Sequence, residues 1–142
     1  MDFARDDTQE AVAEVAVGLL ARGLGPDELW RALADADLLS LALPARLGGD
    51  DLGVAEVAAL LTEIGRGAAP VPALATLGFG VLPVRTLATA AQQDELLADV
   101  GDGAVLTAAL AEAGRAFPAS PTATAVPDGE HHAVTGHFVG VP

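Results

Sequence analysis

Few residues in this 142-residue chain have types and spacings from which chemistry can be built. His131, His132 and His137 are the only histidines, and imidazole is the commonest metal ligand. On an extended strand, however, His132 and His137 are an odd number of positions apart and face opposite sides, so they do not converge as a metal site requires. Glu112 follows an apolar run and is a candidate general base, although a structural or dipole role suits it better. Glu63 and Arg66 stand three apart, the spacing of an ion pair on a helix surface. Arg115, beside Gly114, reads as a solvated loop residue that a phosphate group could also recruit. The acidic pairs Asp6-Asp7 and Asp50-Asp51 suit helix starts, where the macrodipole favours negative charge.

The inventory excludes more than it offers. There is no Cys, which removes thiol nucleophiles, disulfides and thiolate metal sites. All seven basic residues are Arg, so Walker-type phosphate loops, Schiff-base chemistry and Ser-Lys catalysis have no lysine to use. A net charge of −13 argues against nucleic acid and against an anionic membrane surface, since both draw affinity from positive charge. A phosphate-bearing ligand would have to be met locally, by individual arginines or by the N–H groups of a helix start. No stretch approaches the roughly 18 apolar residues of a membrane span, and the N-terminus lacks a basic region followed by an apolar one. The expected location is cytoplasmic.

The elements that must position these residues are mainly helical. Val12, Val15, Ala16, Leu19 and Leu20 mark one face of a first helix from Asp6 to about Arg22, with Asp6 and Gln9 as a capping pair. Gly25-Pro26-Asp27-Glu28 opens a second helix that turns Leu29, Trp30 and Leu33 inward. Pro44 and Gly48-Gly49 separate it from a third, from about Gly53 to Arg66, whose expected inner face is Val54, Val57, Ala58, Leu61 and Ile64. Leu74, Leu77, Phe79 and Leu82 belong to a further helical segment made irregular by Gly78, Gly80 and Pro83. A short helix from Gln92 to Val100 is stopped by Gly101.

After Gly103 the pattern changes. Ala104–Ala111 is short and has no polar face, so it fits either a buried strand or a buried helical turn. Thr122–Val126 and His132–Val139 read as strands joined by a turn at Pro127-Asp128-Gly129-Glu130. The chain is therefore expected to hold a helical domain over 1–102 and the start of an incomplete β domain over 103–142, with an unpaired sheet edge where it stops.

The order of these elements, the Leu43-Pro44-Ala45-Arg46-Leu47-Gly48-Gly49 turn and the Glu63-Ile64-Gly65-Arg66 helix end resemble acyl-CoA dehydrogenases. The resemblance covers the whole chain and is most specific from Asp37 to Pro83; Ala69-Pro70-Val71-Pro72 and the Ala- and Arg-rich composition resemble actinobacterial members. It implies an N-terminal helical bundle followed by the first strands of a β middle domain. It also implies FAD as cofactor and an acyl-CoA thioester, fatty or steroid side-chain, as the substrate losing its α and β hydrogens. Leu43-Pro44 and Gly48-Gly49 would line the acyl pocket or serve as plain turn residues.

In this family a Leu-Thr-Glu-Pro-Gly segment contacts the flavin, and it corresponds here to Leu110-Ala111-Glu112-Ala113-Gly114. Ala111 replaces the Thr, which leaves main-chain N–H groups to serve. A second contact, Trp-Ile-Ser/Thr after a Gly-x-Lys turn, corresponds to Gly136–Pro142. It keeps the Gly but lacks the Lys, the Trp and the hydroxyl, Gly140 and Val141 standing in the contact region. The resemblance thus implies Leu110, Ala111, Glu112, Gly114 and Val141 as cofactor-binding, and no catalytic residue, because the family's carboxylate base lies in the C-terminal domain. It implies oligomers, either of this chain or with other acyl-CoA dehydrogenase subunits, and the losses at Ala111 and Gly140 fit a flavin-deficient subunit that supports a competent partner. An independent helical binding module is the third reading.

Overall fold

The computed structural model describes residues 4–114, 120–129 and 131–142. The chain forms two compact units, one through Leu106 and one from Thr107 onward.

The first unit is a helical bundle. Helix α1 spans Asp7–Leu20, and its start is a reciprocal cap in which Asp6 accepts the Gln9 N–H at 2.9 Å while Gln9 reaches back to the Asp6 N–H. Helix α2, Pro26–Asp35, begins with Pro26 at a position where a missing N–H costs nothing. Helix α3, Val54–Arg66, starts where the Glu56 carboxylate takes the Gly53 N–H at 2.8 Å. The core is built from Val12, Leu29, Leu33, Leu39, Leu60 and Leu77 with their neighbours, and α1 packs chiefly on α3.

Two inner faces differ from those expected of the sequence. In α3 the buried residues are Val57, Ala59, Leu60, Glu63 and Ile64, whereas Val54 and Ala58 are exposed and Leu61 is half-buried. The face is rotated to bury Glu63, whose charge is neutralised locally. In α1, Ala13 is buried and Val15 is exposed, so the contact stripe is narrower and runs through small residues.

The segment Leu38–Leu43 is buried in consecutive turns, and residues 50–52 return alongside it through Asp50 N–Ser40 O, Asp51 N–Leu43 O and Leu52 N–Leu41 O bonds. Between them Ala45–Leu47 makes one 3₁₀ turn. The two glycines that close it have different reasons. Gly48 has φ +80°, while a side chain at Gly49 would meet the Leu43 carbonyl oxygen at 2.2 Å. Arg85 then clamps the return, donating to the carbonyls of Ala42, Leu52 and Asp51 and to the Asp51 carboxylate.

The irregular segment is a π-helix over Leu74–Val81 that runs directly into α4, Leu82–Leu87. Pro83 gives a physical reason for it. A proline inside an α-helix removes one N–H and collides with the carbonyl four residues earlier, and widening the preceding turns relieves that collision. Gly80 lies so close to Leu106 that a Cβ there would sit 2.7 Å from the Leu106 carbonyl oxygen. Helix α5 spans Ala90–Leu97, earlier at both ends than the expected Gln92–Val100, because Thr89 and Gln92 form a capping box and the chain turns before Val100. Leu97 and Val100 are both buried, and the half-buried Trp30 donates its indole N–H to the Gly103 carbonyl at 2.8 Å.

The second unit is two antiparallel pairs. Strand β1, Ala111–Glu112, pairs with β4, Phe138–Val139, and β2, Thr124–Asp128, pairs with β3, His131–Thr135. Ala104–Leu110 carries no ladder, so only the end of that apolar run is a strand. The expected His132–Val139 strand is broken at Gly136, where a Cβ would collide with Ala123 and with the Phe138 ring. Pro127 and Asp128 lie within the β2 ladder opposite His132 and His131, so the reversal comes after Asp128, where Gly129 has φ +63°.

Candidate functional site

The candidate cofactor residues all fall in the second unit. The β1–β4 pairing sets Ala111 opposite Val139 and Glu112 opposite Phe138, so two segments about 28 positions apart in sequence share one short ladder. Leu110 and Val141 flank it and are exposed. Gly114 and Gly140 have φ of +74° and +62°, and a side chain at either would meet nothing within 4 Å. The result is an apolar rim around main chain, with no hydroxyl on it. Each strand of a two-stranded ladder turns alternate N–H and C=O groups outward, and these are the polar groups the pair offers to a planar ring.

Glu112 belongs to this pair through its main chain but not through its side chain. Its residue is 4% exposed, and its carboxylate accepts the Thr122 N–H at 2.8 and 2.9 Å, the Thr122 hydroxyl at 2.8 Å and the Ala123 N–H at 2.9 Å. That carboxylate has both oxygens occupied by donors of its own unit. A general-base role is therefore not what the geometry supports. No sequence signal located its partners, which lie ten and eleven positions away.

The other chemistry-bearing residues are dispersed. Among the described residues no three of His, Asp or Glu gather as a metal ion would require. His131 and His132 lie on the exposed β3, and Arg115 lies outside the described residues. Glu63 is more than a surface ion-pair partner: it is 5% exposed and binds Arg66 at 2.7 Å as well as Arg5 from ahead of α1. The Arg5 guanidinium, against the opposing effect of desolvation and with help from Arg66, holds its carboxyl below the ordinary carboxylate range. Glu56 is lowered too, first by a hydrogen bond from Gln9 and then by main-chain N–H groups. Both are structural ties between the N-terminal segment and α3. A hollow of about 470 Å³ between α2 and the turn after α5 is lined by Asp35, Asp37 and Asp102 against a single arginine, Arg31, which is the wrong sign for a phosphate-bearing ligand.

Residues 1–104 match the family model for the N-terminal domain of acyl-CoA dehydrogenases. The chain belongs to the acyl-CoA dehydrogenase family. It is 50% identical over 126 residues to acyl-CoA dehydrogenase FadE28 of Mycobacterium tuberculosis, which covers 89% of this chain and 36% of that protein. Its fold superposes with a TM-score of 0.81 and 37% identity on a variant of the Tcur3481–Tcur3483 steroid ACAD, over 94% of this chain and 41% of that one. It superposes with a TM-score of 0.82 and 27% identity on the ChsE4–ChsE5 complex of Mycobacterium tuberculosis, over 99% and 42%. The chain thus spans about a third of its curated relative and two fifths of the structural ones. The mainly helical fold with a few following strands is that of the family.

Acyl-CoA dehydrogenases generally bind FAD; what the β1–β4 pair could offer a flavin is main chain and an apolar rim, without a side-chain hydroxyl. Ala111 brings no hydroxyl to β1, and the Glu112 carboxylate is already engaged.

Proposed function

We propose that this chain is part of a flavin-dependent dehydrogenase that removes the α and β hydrogens of an acyl-CoA thioester, fatty or steroid side-chain. The observation that carries this is the β1–β4 register, which gathers Leu110, Ala111, Glu112 and Val141 around one short ladder. The steroid substrate class is supported by the likeness to the Tcur3481–Tcur3483 steroid ACAD.

In this reading the main chain of Leu110–Glu112 and of Val139–Val141 would lie against the ring edge, and Leu110 and Val141 would exclude water from it. FAD, when bound, supplies the acceptor for the β hydride. The chain's own residues orient and shield; no side chain among those described is placed to take the α proton, so that role falls to a carboxylate elsewhere in the complete enzyme.

A second reading, that this is a flavin-deficient subunit beside a competent acyl-CoA dehydrogenase partner, is favoured by the absence of a hydroxyl at Ala111. Hetero-oligomers are supported by the likeness to the ChsE4–ChsE5 complex. Purifying the full-length protein alone and with its partner subunit, and following acyl-CoA-dependent reduction of an artificial electron acceptor, tests both. Turnover by the protein alone supports the first reading and turnover only by the complex supports the second. No turnover in either state, with flavin bound, refutes the dehydrogenase reading.

A further inference from the structure

We infer that Glu112 is a positioning residue, a buried strut that sets the main-chain geometry of the β1–β4 pair against which the isoalloxazine ring would lie. The inference rests on the flavin reading above, but its evidence is a closed circuit of contacts within the second unit. The Glu112 carboxylate takes the N–H groups of Thr122 and Ala123 and the Thr122 hydroxyl. Ala123 in turn abuts Gly136, where a methyl group would come within 2.8 Å of the Ala123 Cβ and 2.9 Å of the Phe138 ring. Phe138 closes the circuit by pairing with Glu112 in the ladder.

The circuit has a physical purpose. A ladder of two residues on each strand is too short to hold its own register, because an isolated two-stranded pair is marginal in water. Glu112 supplies what the ladder lacks. A charged acceptor shared among main-chain donors makes stronger and more directional bonds than a neutral one, and its burial makes leaving any donor unpaired costly. Fixing β1 matters most where side chains contribute no hydrogen bond to the ligand, since there the main-chain groups alone set distance and angle. An amide at this position substitutes only in part: its oxygen can accept the two main-chain N–H groups, but it loses the charge and the second Thr122 N–H contact, and its NH₂ keeps only the Thr122 hydroxyl of these partners.

The test uses the full-length protein with its partner subunit as purified, comparing wild type, Glu112→Gln, Gly136→Ala and a control, Val57→Ala, which thins the helical core. Apoprotein is titrated with FAD, and amide hydrogen exchange is read at Ala111, Thr122, Ala123 and Val139. Both Glu112→Gln and Gly136→Ala are expected to weaken FAD binding tenfold or more and shift its visible bands, while Val57→Ala, destabilised overall, leaves affinity within twofold. FAD affinity within twofold of wild type for Glu112→Gln, with exchange accelerated, overturns the inference while leaving the flavin reading intact. If wild type binds no flavin, that reading fails separately. Unchanged exchange at Ala111 and Val139 in Glu112→Gln would then sink the strut itself, and acceleration there would sustain it.

Discussion

Replacing Gly49 by alanine is the sharpest perturbation of the helical unit. The added methyl would lie 2.2 Å from the Leu43 carbonyl oxygen, 2.5 Å from its Cβ and 2.6 Å from its carbonyl carbon, mostly main-chain atoms that cannot swing aside. The strand-like return at 50–52 must instead retreat by roughly an ångström, the difference between these approaches and ordinary van der Waals contact. That movement breaks the Asp51 N–Leu43 O and Leu52 N–Leu41 O bonds and loosens the Arg85 clamp. Two or three lost hydrogen bonds at about 1 kcal/mol each, with overpacking of about 1–3 kcal/mol, give a loss of about 3–6 kcal/mol. The neighbouring Gly48→Ala supplies the comparison. Gly48 has φ +80° but open space around it, so alanine there costs only the left-handed backbone penalty of about 1–2 kcal/mol. Urea unfolding of both variants, read at unchanged m, measures the two costs. A Gly49→Ala penalty no larger than that of Gly48→Ala would refute the close-approach argument.

Other outcomes follow from the same geometry. Ala68 has φ +45° at the position after the α3 cap, where its N–H bonds Gly65 O and the Ala69 N–H bonds Ile64 O, so Ala68→Gly should stabilise by about 1 kcal/mol in the same unfolding assay. Arg85→Ala removes the clamp on three carbonyls and the Asp51 carboxylate and should cost about 2–3 kcal/mol, with faster amide exchange at Leu52. Because Glu63 has a lowered folded value, its contribution is present at neutral pH and is lost as pH falls below the ordinary carboxylate range toward that lowered value. Urea midpoints from pH 7 to pH 3 should therefore decline less steeply in Arg5→Ala than in wild type, and equal slopes would contradict the pairing.

What could be read from the sequence was local. Asp6 with Gln9, Pro26 at a helix start and Gly48-Gly49 after Leu43-Pro44 each act through neighbours within a few positions, and all are present in the structure as capping, initiation and turn. The inner face of α3 was misplaced because burial of Glu63 depends on Arg5, 58 positions earlier, and no periodicity carries that information. The π-helix was visible only as irregularity around Gly78, Gly80 and Pro83, since its widened bonding pattern is a response to packing as well as to proline. At the candidate site, family resemblance pointed to Leu110, Ala111, Glu112, Gly114 and Val141, but the hydrogen bonds that engage Glu112 depend on Thr122 and Ala123 arriving beside it. Pro127 argued for a turn, yet on a two-stranded ribbon a proline is tolerated in the ladder because a free edge leaves its missing N–H without consequence.

The most direct test of the proposed role in flavin-dependent acyl-CoA dehydrogenation is the visible spectrum of the protein, purified alone and coexpressed with an acyl-CoA dehydrogenase subunit, before and after adding a steroid side-chain acyl-CoA under anaerobic conditions. The expected result is a bound-flavin spectrum in at least one state, bleached by the acyl-CoA as the ring is reduced. A colourless protein in both states, or a flavin that the acyl-CoA leaves oxidised, would contradict it.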